Sequence, residues 1–274
     1  MEEYSGWADM LARQGIAALV YDKRNVTDFP QLDIREPTTD IGHIDSLVSD
    51  AAVLFELLKN EPGINRSKIG LLGFSQGAVV APMLAARKPE LSFLVVVSGN
   101  ATTDKEFIIN QEMNRLRRRN ISTEQIKEAT GIWEQLFVYA KKGGNKSVLQ
   151  SRIDKAFEAG YGSFCLPRYV PNDDERRYLM TWNSFELDPA VYWKRTITPS
   201  LVIYGKNDDL IPVERSIEIL NQIFSGRPGM MTLKVFPGAD HTIRVNTVNG
   251  QPAIPHFAEG YLQSIISFIK SKTD

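Results

Sequence analysis

The sequence predicts an α/β fold in which a mostly parallel sheet carries helices on both faces and a helical lid is inserted between two strands. Over the first hundred residues, short apolar runs rich in β-formers alternate with segments of helical periodicity. Residues 101–198 then read as helix after helix without a strand-like run, and the alternation resumes at residue 200. We therefore expect residues 1–100 and 199–274 to form one α/β core, and residues 101–198 to form the lid.

The first elements are predicted to be a helix and a buried strand. Apolar side chains at helical spacing predict a helix over Trp7–Gln14, and Gly15 after it is a typical C-cap residue. The run Ile16–Tyr21 is continuous and apolar, which is typical of a buried parallel strand. The polar residues 25–40 are expected to form a loop at the carboxyl end of that strand.

The next segment carries one apolar helical face between about residues 41 and 60, and Glu61-Pro62-Gly63 ends it. Strands are then expected at Ile69–Leu72 and Leu91–Val97, with a small-residue helix between them. In the lid, the pairs Thr103 with Glu106 and Ser122 with Gln125 have capping-box spacing. They predict helices that begin near residues 104 and 123.

From residue 200 onward, predicted strands again alternate with predicted helices. Ser200–Tyr204 and Met231–Phe236 are predicted strands, and Pro212 suits the first turn of the helix between them. The closing helix is expected over about His256–Lys272, which keeps its apolar side chains on one face.

Composition narrows the class of partner. The chain has 274 residues, 24% of them charged, and a formal net charge of −1, so no global field favours nucleic acid or an anionic membrane. The single Cys165 cannot form an intramolecular disulfide, and with only three histidines it offers no zinc-type spacing. We expect no metal or cofactor and a small-molecule partner. The absence of a long apolar run or a signal-like N-terminus predicts a cytoplasmic protein without a membrane span, unless a longer precursor carries a signal.

The stretch Gly73-Phe74-Ser75-Gln76-Gly77 stands between an apolar strand and a helix-forming run. This arrangement is typical of a nucleophile elbow, in which a strained turn lifts the serine hydroxyl above the sheet. We expect glycine at 73 and 77 because the chain passes too close there for a side chain. The competing interpretation is that Ser75 only caps the following helix.

With these motifs the chain resembles the α/β-hydrolase family from Trp7 to Lys272. The resemblance rests on the elbow, on Tyr-Gly-Lys-Asn-Asp-Asp-Leu-Ile-Pro at 204–212 and on Phe-Pro-Gly-Ala-Asp-His at 236–241. In that family the acid lies three residues after the glycine that ends its strand, which selects Asp208 over Asp209. The family's histidine follows the last strand and corresponds to His241. The order Ser, Asp, His is that of this fold.

The resemblance implies a role for each residue. Ser75 would be the nucleophile, His241 would accept its proton, and Asp208 would orient the imidazole. The backbone N–H of Gln76 would donate to the oxyanion. Alternatively, Asp208 caps the helix after Pro212 and His241 is a solvent-facing loop residue.

One feature departs from the family. In the resembled fold three strands precede the helix at Trp7, and the loop after the third carries a second oxyanion donor. Residues for these strands are missing upstream of Trp7. The resemblance therefore implies either a shortened hydrolase or two strands, at 16–21 and 69–74, that have closed up beside one another.

The implied activity is a serine hydrolase that cleaves a carboxylic ester through an acyl-enzyme on Ser75, with the lid setting substrate choice. Two other enzymatic functions stay open, a peptidase related to the prolyl oligopeptidase catalytic domain, with a short peptide substrate, and a thioesterase. A third alternative is a non-catalytic relative that binds a ligand, since the second oxyanion loop is missing.

Overall fold

The structure is a computed structural model that describes residues 2–23, 44–175, 187–248 and 251–273. The helices are α1 (Glu2–Ala12), α2 (Ile44–Asn60), α3 (Gln76–Ala85), α4 (Asp104–Arg117), α5 (Thr123–Lys142), α6 (Lys146–Glu158), α7 (Pro189–Arg195), α8 (Val213–Phe224) and α9 (Tyr261–Thr273). The strands are β1 (Leu71–Phe74), β2 (Leu94–Val97), β3 (Ser200–Gly205), β4 (Met231–Phe236), β5 (Arg244–Val248) and β6 (Gln251–Phe257). Short 3₁₀ turns lie at Arg66–Lys68 and Gly162–Phe164.

The four strands β1 to β4 form one parallel sheet whose spatial order is the same as their order along the chain. Helix α3 joins β1 to β2, and α8 joins β3 to β4. A parallel sheet with helical crossovers is an α/β architecture, so the predicted fold class is confirmed. All four carboxyl ends of a parallel sheet lie at one edge, which is where binding residues collect in such folds.

Alternation along the central strands divides the core between the two faces of the sheet. In β2, Leu94 and Val96 pack with α2, α3 and α8, whereas Val95 and Val97 pack with α1 and α9. These four side chains are at most 1% exposed. Successive strand residues point to opposite faces, so a continuous apolar run is what a strand covered on both faces requires.

Helices α4, α5 and α6 have an apolar cluster of their own, with Leu116, Ile132 and Ile153 fully buried between them. Both predicted capping boxes form, at Thr103 and Ser122, so the predicted starts of α4 and α5 are confirmed. The segment also buries a charge. Glu112 is 8% exposed and accepts two hydrogen bonds from Arg115, at 3.0 and 2.9 Å.

The predicted strand at Ile16–Tyr21 is wrong. Helix α1 forms and Gly15 ends it with φ +78°, but the residues after it pair with no strand in the described part of the chain. Leu19, Val20 and Tyr21 are 40 to 43% exposed. The alternative of two strands closed up side by side also fails for the described residues, because β1 is the edge of their sheet. An apolar run becomes a strand only where a neighbouring backbone offers hydrogen bonds, and composition does not report that neighbour.

The predicted start of the last helix at His256 is also wrong. Residues 244–257 pair with one another as the antiparallel hairpin of β5 and β6, in which His256 stands opposite Val245. The last helix begins only at Tyr261, after Gly260 with φ +77°. A smaller shift affects Pro212, which is the N-cap of α8 rather than part of its first turn.

The loop predicted over residues 25–40 lies outside the described residues. Within the described ranges, none of the helices has the length and apolar character that crossing a bilayer requires.

Candidate active site

Ser75 stands on the turn between β1 and α3 with φ 53° and ψ −112°, a conformation that side-chain-bearing residues adopt rarely. A Cβ at Gly73 would lie 2.2 Å from the carbonyl oxygen of Gly77, so glycine is required at 73. The same expectation for Gly77 is wrong, since a Cβ there would have no contact within 4 Å. Close backbone approach therefore explains one of the two glycines.

The side chain of Ser75 does not cap α3. Ser75 occupies the N-cap position, but its hydroxyl makes no capping hydrogen bond. Its Oγ lies 3.1 Å from Nε2 of His241. Gln76 is the first residue of α3, and N–H groups of a first helical turn have no acceptor within the helix. The backbone N–H of Gln76 is thus available for a ligand next to the hydroxyl.

The imidazole of His241 joins Ser75 to Asp208. Its Nδ1 lies 2.8 Å from Oδ2 of Asp208, while Oδ1 of the same carboxylate accepts the N–H groups of Leu210 and Ile211, at 2.9 and 3.0 Å. The Asp208 side chain is 0% exposed and that of His241 is 14% exposed. One carboxylate oxygen therefore holds the turn, and the other holds the imidazole.

The side chain of Asp209 contacts Arg118. Its carboxylate forms an ion pair with Arg118 and is 48% exposed. Of the two adjacent aspartates, Asp208, which the resemblance selects, is therefore the one whose carboxylate contacts His241. The suggestion that Asp208 merely caps the next helix does not fit, because its backbone partners precede α8, which begins at Val213.

The loop that carries His241 follows β4 and crosses the ends of β3 and β2 to reach Ser75. A Cβ at Gly205 would lie 2.1 Å from the carbonyl oxygen of Asp240, so the loop can pass over the end of β3 only above a glycine. At the end of β2, the Ser98 hydroxyl donates to the His241 carbonyl at 2.7 Å. The ring of Phe74 then meets the imidazole edge to face, with centroids 5.4 Å apart.

Ser98 was missed by the sequence analysis. It is 0% exposed and has φ 52°, and its N–H donates to the carbonyl of Ile203. A signal was present, since a serine directly followed by Gly99 ends the central strand. Nearby, the buried Tyr204 hydroxyl donates to the Gly99 carbonyl at 2.7 Å, and burial raises the pKa of Tyr204, so this group stays neutral.

The shape of the His241 loop is maintained by Asp240. Its carboxylate accepts from Thr242 N and Thr242 Oγ1, both at 2.8 Å, and from Arg244 N at 3.0 Å. These bonds hold a tight turn in which Ile243 has φ 57°. The conformation is strained, and a buried Ile243 side chain, 0% exposed, helps to fix it.

Helix α4 contacts the loop that carries Asp208. Asn114 Nδ2 donates to the Asp209 carbonyl at 2.7 Å, and Asn110 Nδ2 donates to the Leu210 carbonyl at 3.4 Å. Together with the Arg118 ion pair, these contacts join the helical segment 101–198 to the loop of the carboxylate. In the described residues, no three His, Cys, Asp or Glu side chains are grouped so that they could hold a metal ion.

Three solved structures are similar to this chain. DcsB, solved in complex with its substrate analogue, superimposes with a TM-score of 0.55 at 17% identity, covering 98% of this chain and 85% of that one. Acetyl xylan esterase 1 from Thermoanaerobacterium sp. JW/SL YS485 gives 0.45 at 15% identity, with 94% and 61% covered. Esterase Pf2001 from Pyrococcus furiosus gives 0.44 at 16% identity, with 83% and 61% covered. At identities of 15 to 17%, structural similarity indicates a shared fold and nothing about activity. Of the three structures, only DcsB has a TM-score above 0.5, so it alone supports the assignment of the fold.

A comparison with curated protein sequences finds no match. The family model described as Serine hydrolase (FSH1) matches residues 49–241, more than half of the chain. The matched range begins in α2 and ends on His241, so it contains the elbow and both loops described above. The chain therefore belongs to the serine hydrolase (FSH1) family and has an α/β-hydrolase fold.

Proposed function

We propose that the protein hydrolyses a carboxylic ester through an acyl-enzyme on Ser75, with His241 as general base and acid and Asp208 as its orienting carboxylate. The observation that carries the proposal is the continuous chain of contacts from Ser75 Oγ to His241 Nε2 at 3.1 Å and from Nδ1 to Asp208 Oδ2 at 2.8 Å. Membership of a serine hydrolase family supports it. A neutral hydroxyl needs such a base to become an effective nucleophile.

In the first half of the reaction, Ser75 Oγ attacks the ester carbonyl carbon and its proton passes to His241 Nε2. The carbonyl oxygen becomes an oxyanion, to which the Gln76 N–H donates. The intermediate collapses, the bond to the alcohol oxygen breaks, and His241 protonates the leaving alkoxide. Water then attacks the acyl-enzyme by the same steps, and its proton travels through His241 back to Ser75. The Asp208 carboxylate orients the ring and stabilises the imidazolium in both halves of the reaction.

We further propose that residues 101–198 act as a lid that sets substrate choice. The contacts of Asn114 and Arg118 with the Asp208 loop support this role, because they seat α4 beside the proposed reaction centre. If the lid selects the acyl group, Asn114→Ala changes the ratio of kcat/KM between long and short acyl esters by about threefold or more. An unchanged ratio in a variant with normal stability contradicts the lid role.

The central test is labelling of the purified chain with a fluorophosphonate, followed by intact mass and mapping of the adduct. We expect one adduct on Ser75 in the wild type and none in Ser75→Ala or His241→Ala. Turnover of a p-nitrophenyl ester is expected to fall to background in Ser75→Ala, a loss of up to about 10⁶-fold. Ser67→Ala is the matched control, since this exposed serine lies near the opposite end of β1.

Two outcomes decide against the proposal. Equal turnover in wild type and Ser75→Ala excludes an acyl-enzyme on this residue. A folded wild type that is neither labelled nor active with ester, thioester or peptide anilide favours a ligand-binding relative instead. Within an active protein, the relative kcat/KM for those three substrates separates esterase from thioesterase and peptidase.

A further inference from the structure

Lys23 lies against the nucleophile elbow although it is far from it in sequence. Its ammonium donates to the side-chain oxygen Oε1 of Gln76 at 2.5 Å, across 53 residues of chain. Lys23 follows the exposed segment after α1, and Gln76 is the residue directly after Ser75. The contact places a positive charge beside the residue whose N–H would bind the oxyanion.

Acyl-transfer sites of this type use two donors for the oxyanion, one from the residue after the nucleophile and one from a loop of a neighbouring strand. Gln76 N–H accounts for the first. On the side of β1 away from β2, the described residues contribute no paired strand, so none of them supplies the second donor in the usual way. Lys23 belongs to none of these four strands and contacts the side chain of Gln76.

We propose that the Lys23 ammonium supplies the second interaction with the oxyanion. An ammonium has three N–H donors. Gln76 Oε1 takes one of them and thereby restrains the flexible lysine side chain, which leaves the others able to meet the carbonyl oxygen of a substrate bound at Ser75. The charge acts when the oxyanion forms, so it lowers the barrier of the chemical step more than it strengthens substrate binding. No proton leaves Lys23 in this role.

The inference rests on the proposed function, and the test is chosen to separate the two. Lys23→Gln removes the charge and Lys23→Arg keeps it. Lys68→Gln is the matched control, because Lys68 is exposed and lies before the opposite end of the same strand. Each protein is assayed with a neutral p-nitrophenyl ester and a fluorophosphonate, with thermal melting as the check of folding.

We expect kcat of Lys23→Gln to fall about 100-fold, the lower end of the range for one oxyanion donor, with KM within about threefold of the wild type. Lys23→Arg should retain activity within about tenfold. Because Lys23 is exposed, its effect should be screened by salt, so rising ionic strength lowers kcat of the wild type but not of Lys23→Gln. A merely structural tether would not produce this salt dependence.

The possible results distinguish failure of the Lys23 inference from failure of the proposed function. Normal Ser75 labelling in the wild type with unchanged kcat in Lys23→Gln overturns this inference and leaves the proposed function intact. An increase of KM alone in Lys23→Gln also overturns the inference, because it indicates that Lys23 binds the substrate and does not stabilise the oxyanion. A wild type without adduct and without turnover overturns both.

Discussion

The substitution Asp208→Asn separates the chemical role of this residue from its structural role. The asparagine Oδ1 can still accept the N–H groups of Leu210 and Ile211, which the carboxylate now binds at 2.9 and 3.0 Å. The Nδ2 amide, however, replaces the oxygen that lies 2.8 Å from His241 Nδ1. An amide donor there requires an unprotonated Nδ1. The ring proton then resides on Nε2, where it blocks acceptance of the Ser75 proton.

The expected magnitude follows from that change of tautomer. Loss of the correct tautomer with the geometry intact costs about 10⁴-fold in kcat, or about 5.4 kcal/mol of barrier. Unfolding free energy should change by about 1 kcal/mol or less, since both backbone N–H groups keep an acceptor. Asp208→Ala differs, because it leaves the part-buried N–H of Leu210 and the buried N–H of Ile211 without a partner, at up to about 1–3 kcal/mol each.

The assay is ester turnover combined with urea unfolding for Asp208→Asn, Asp208→Ala and Asp209→Asn. Asp209→Asn is the matched control, since its carboxylate pairs with Arg118 and should change kcat by less than about threefold. Asp208→Asn should be as stable as the wild type but about 10⁴-fold slower. Near-normal kcat in Asp208→Asn, or a larger loss in Asp209→Asn, refutes the assignment of the orienting carboxylate.

Three further predictions concern other described residues. Ser98→Ala removes the hydrogen bond to the His241 carbonyl and should lower kcat/KM about tenfold. Ser200 is a similarly buried serine whose hydroxyl donates to the Thr198 carbonyl at the far end of β3, so Ser200→Ala should lower only stability. Equal kinetics in the two variants contradict the role of Ser98. Burial raises the pKa of Glu112, so the folded state binds the proton of this carboxyl more tightly than the unfolded chain does, and stability falls as pH rises through that raised value. Urea unfolding should therefore show Glu112→Gln gaining stability relative to the wild type as the pH rises from about 4, and a relative loss with rising pH opposes this. Burial also raises the pKa of Cys165 to about 12. The thiol of the native protein should therefore resist a disulfide reagent at mildly alkaline pH and should react once the protein is unfolded in guanidinium chloride. A rapid reaction of the native protein is the opposing result.

The features that could be predicted from the sequence are those that depend on contacts between residues close together in the chain. The elbow depends on contacts within five residues, such as the approach of Gly77 to Gly73. Helix starts at Thr103 and Ser122 depend on capping side chains three residues away. The resemblance also selected Asp208 and His241, and the two side chains do meet Ser75 in one chain of contacts.

What could not be predicted depends on partners far away in sequence. The apolar run Ile16–Tyr21 has strand composition but no ladder in the described structure. The hairpin of β5 and β6 forms where a helix start was expected, because the pairing of Val245 with His256 outweighs local preference. The contacts of Ser98 with His241, and of Lys23 with Gln76, join residues 143 and 53 positions apart.

These distant contacts follow from the order of the strands. Ser75 follows the first strand of the sheet and His241 follows the fourth, and three strand spacings amount to about 14 Å. An imidazole cannot cover that distance, so the loop itself must cross the sheet edge. Gly205 leaves room for the loop to cross the end of β3, and Ser98 binds the loop at the end of β2 through the His241 carbonyl. The imidazole Nε2 thereby comes to 3.1 Å from Ser75 Oγ. The nucleophile thereby receives its base from the side of β1 on which β2 lies.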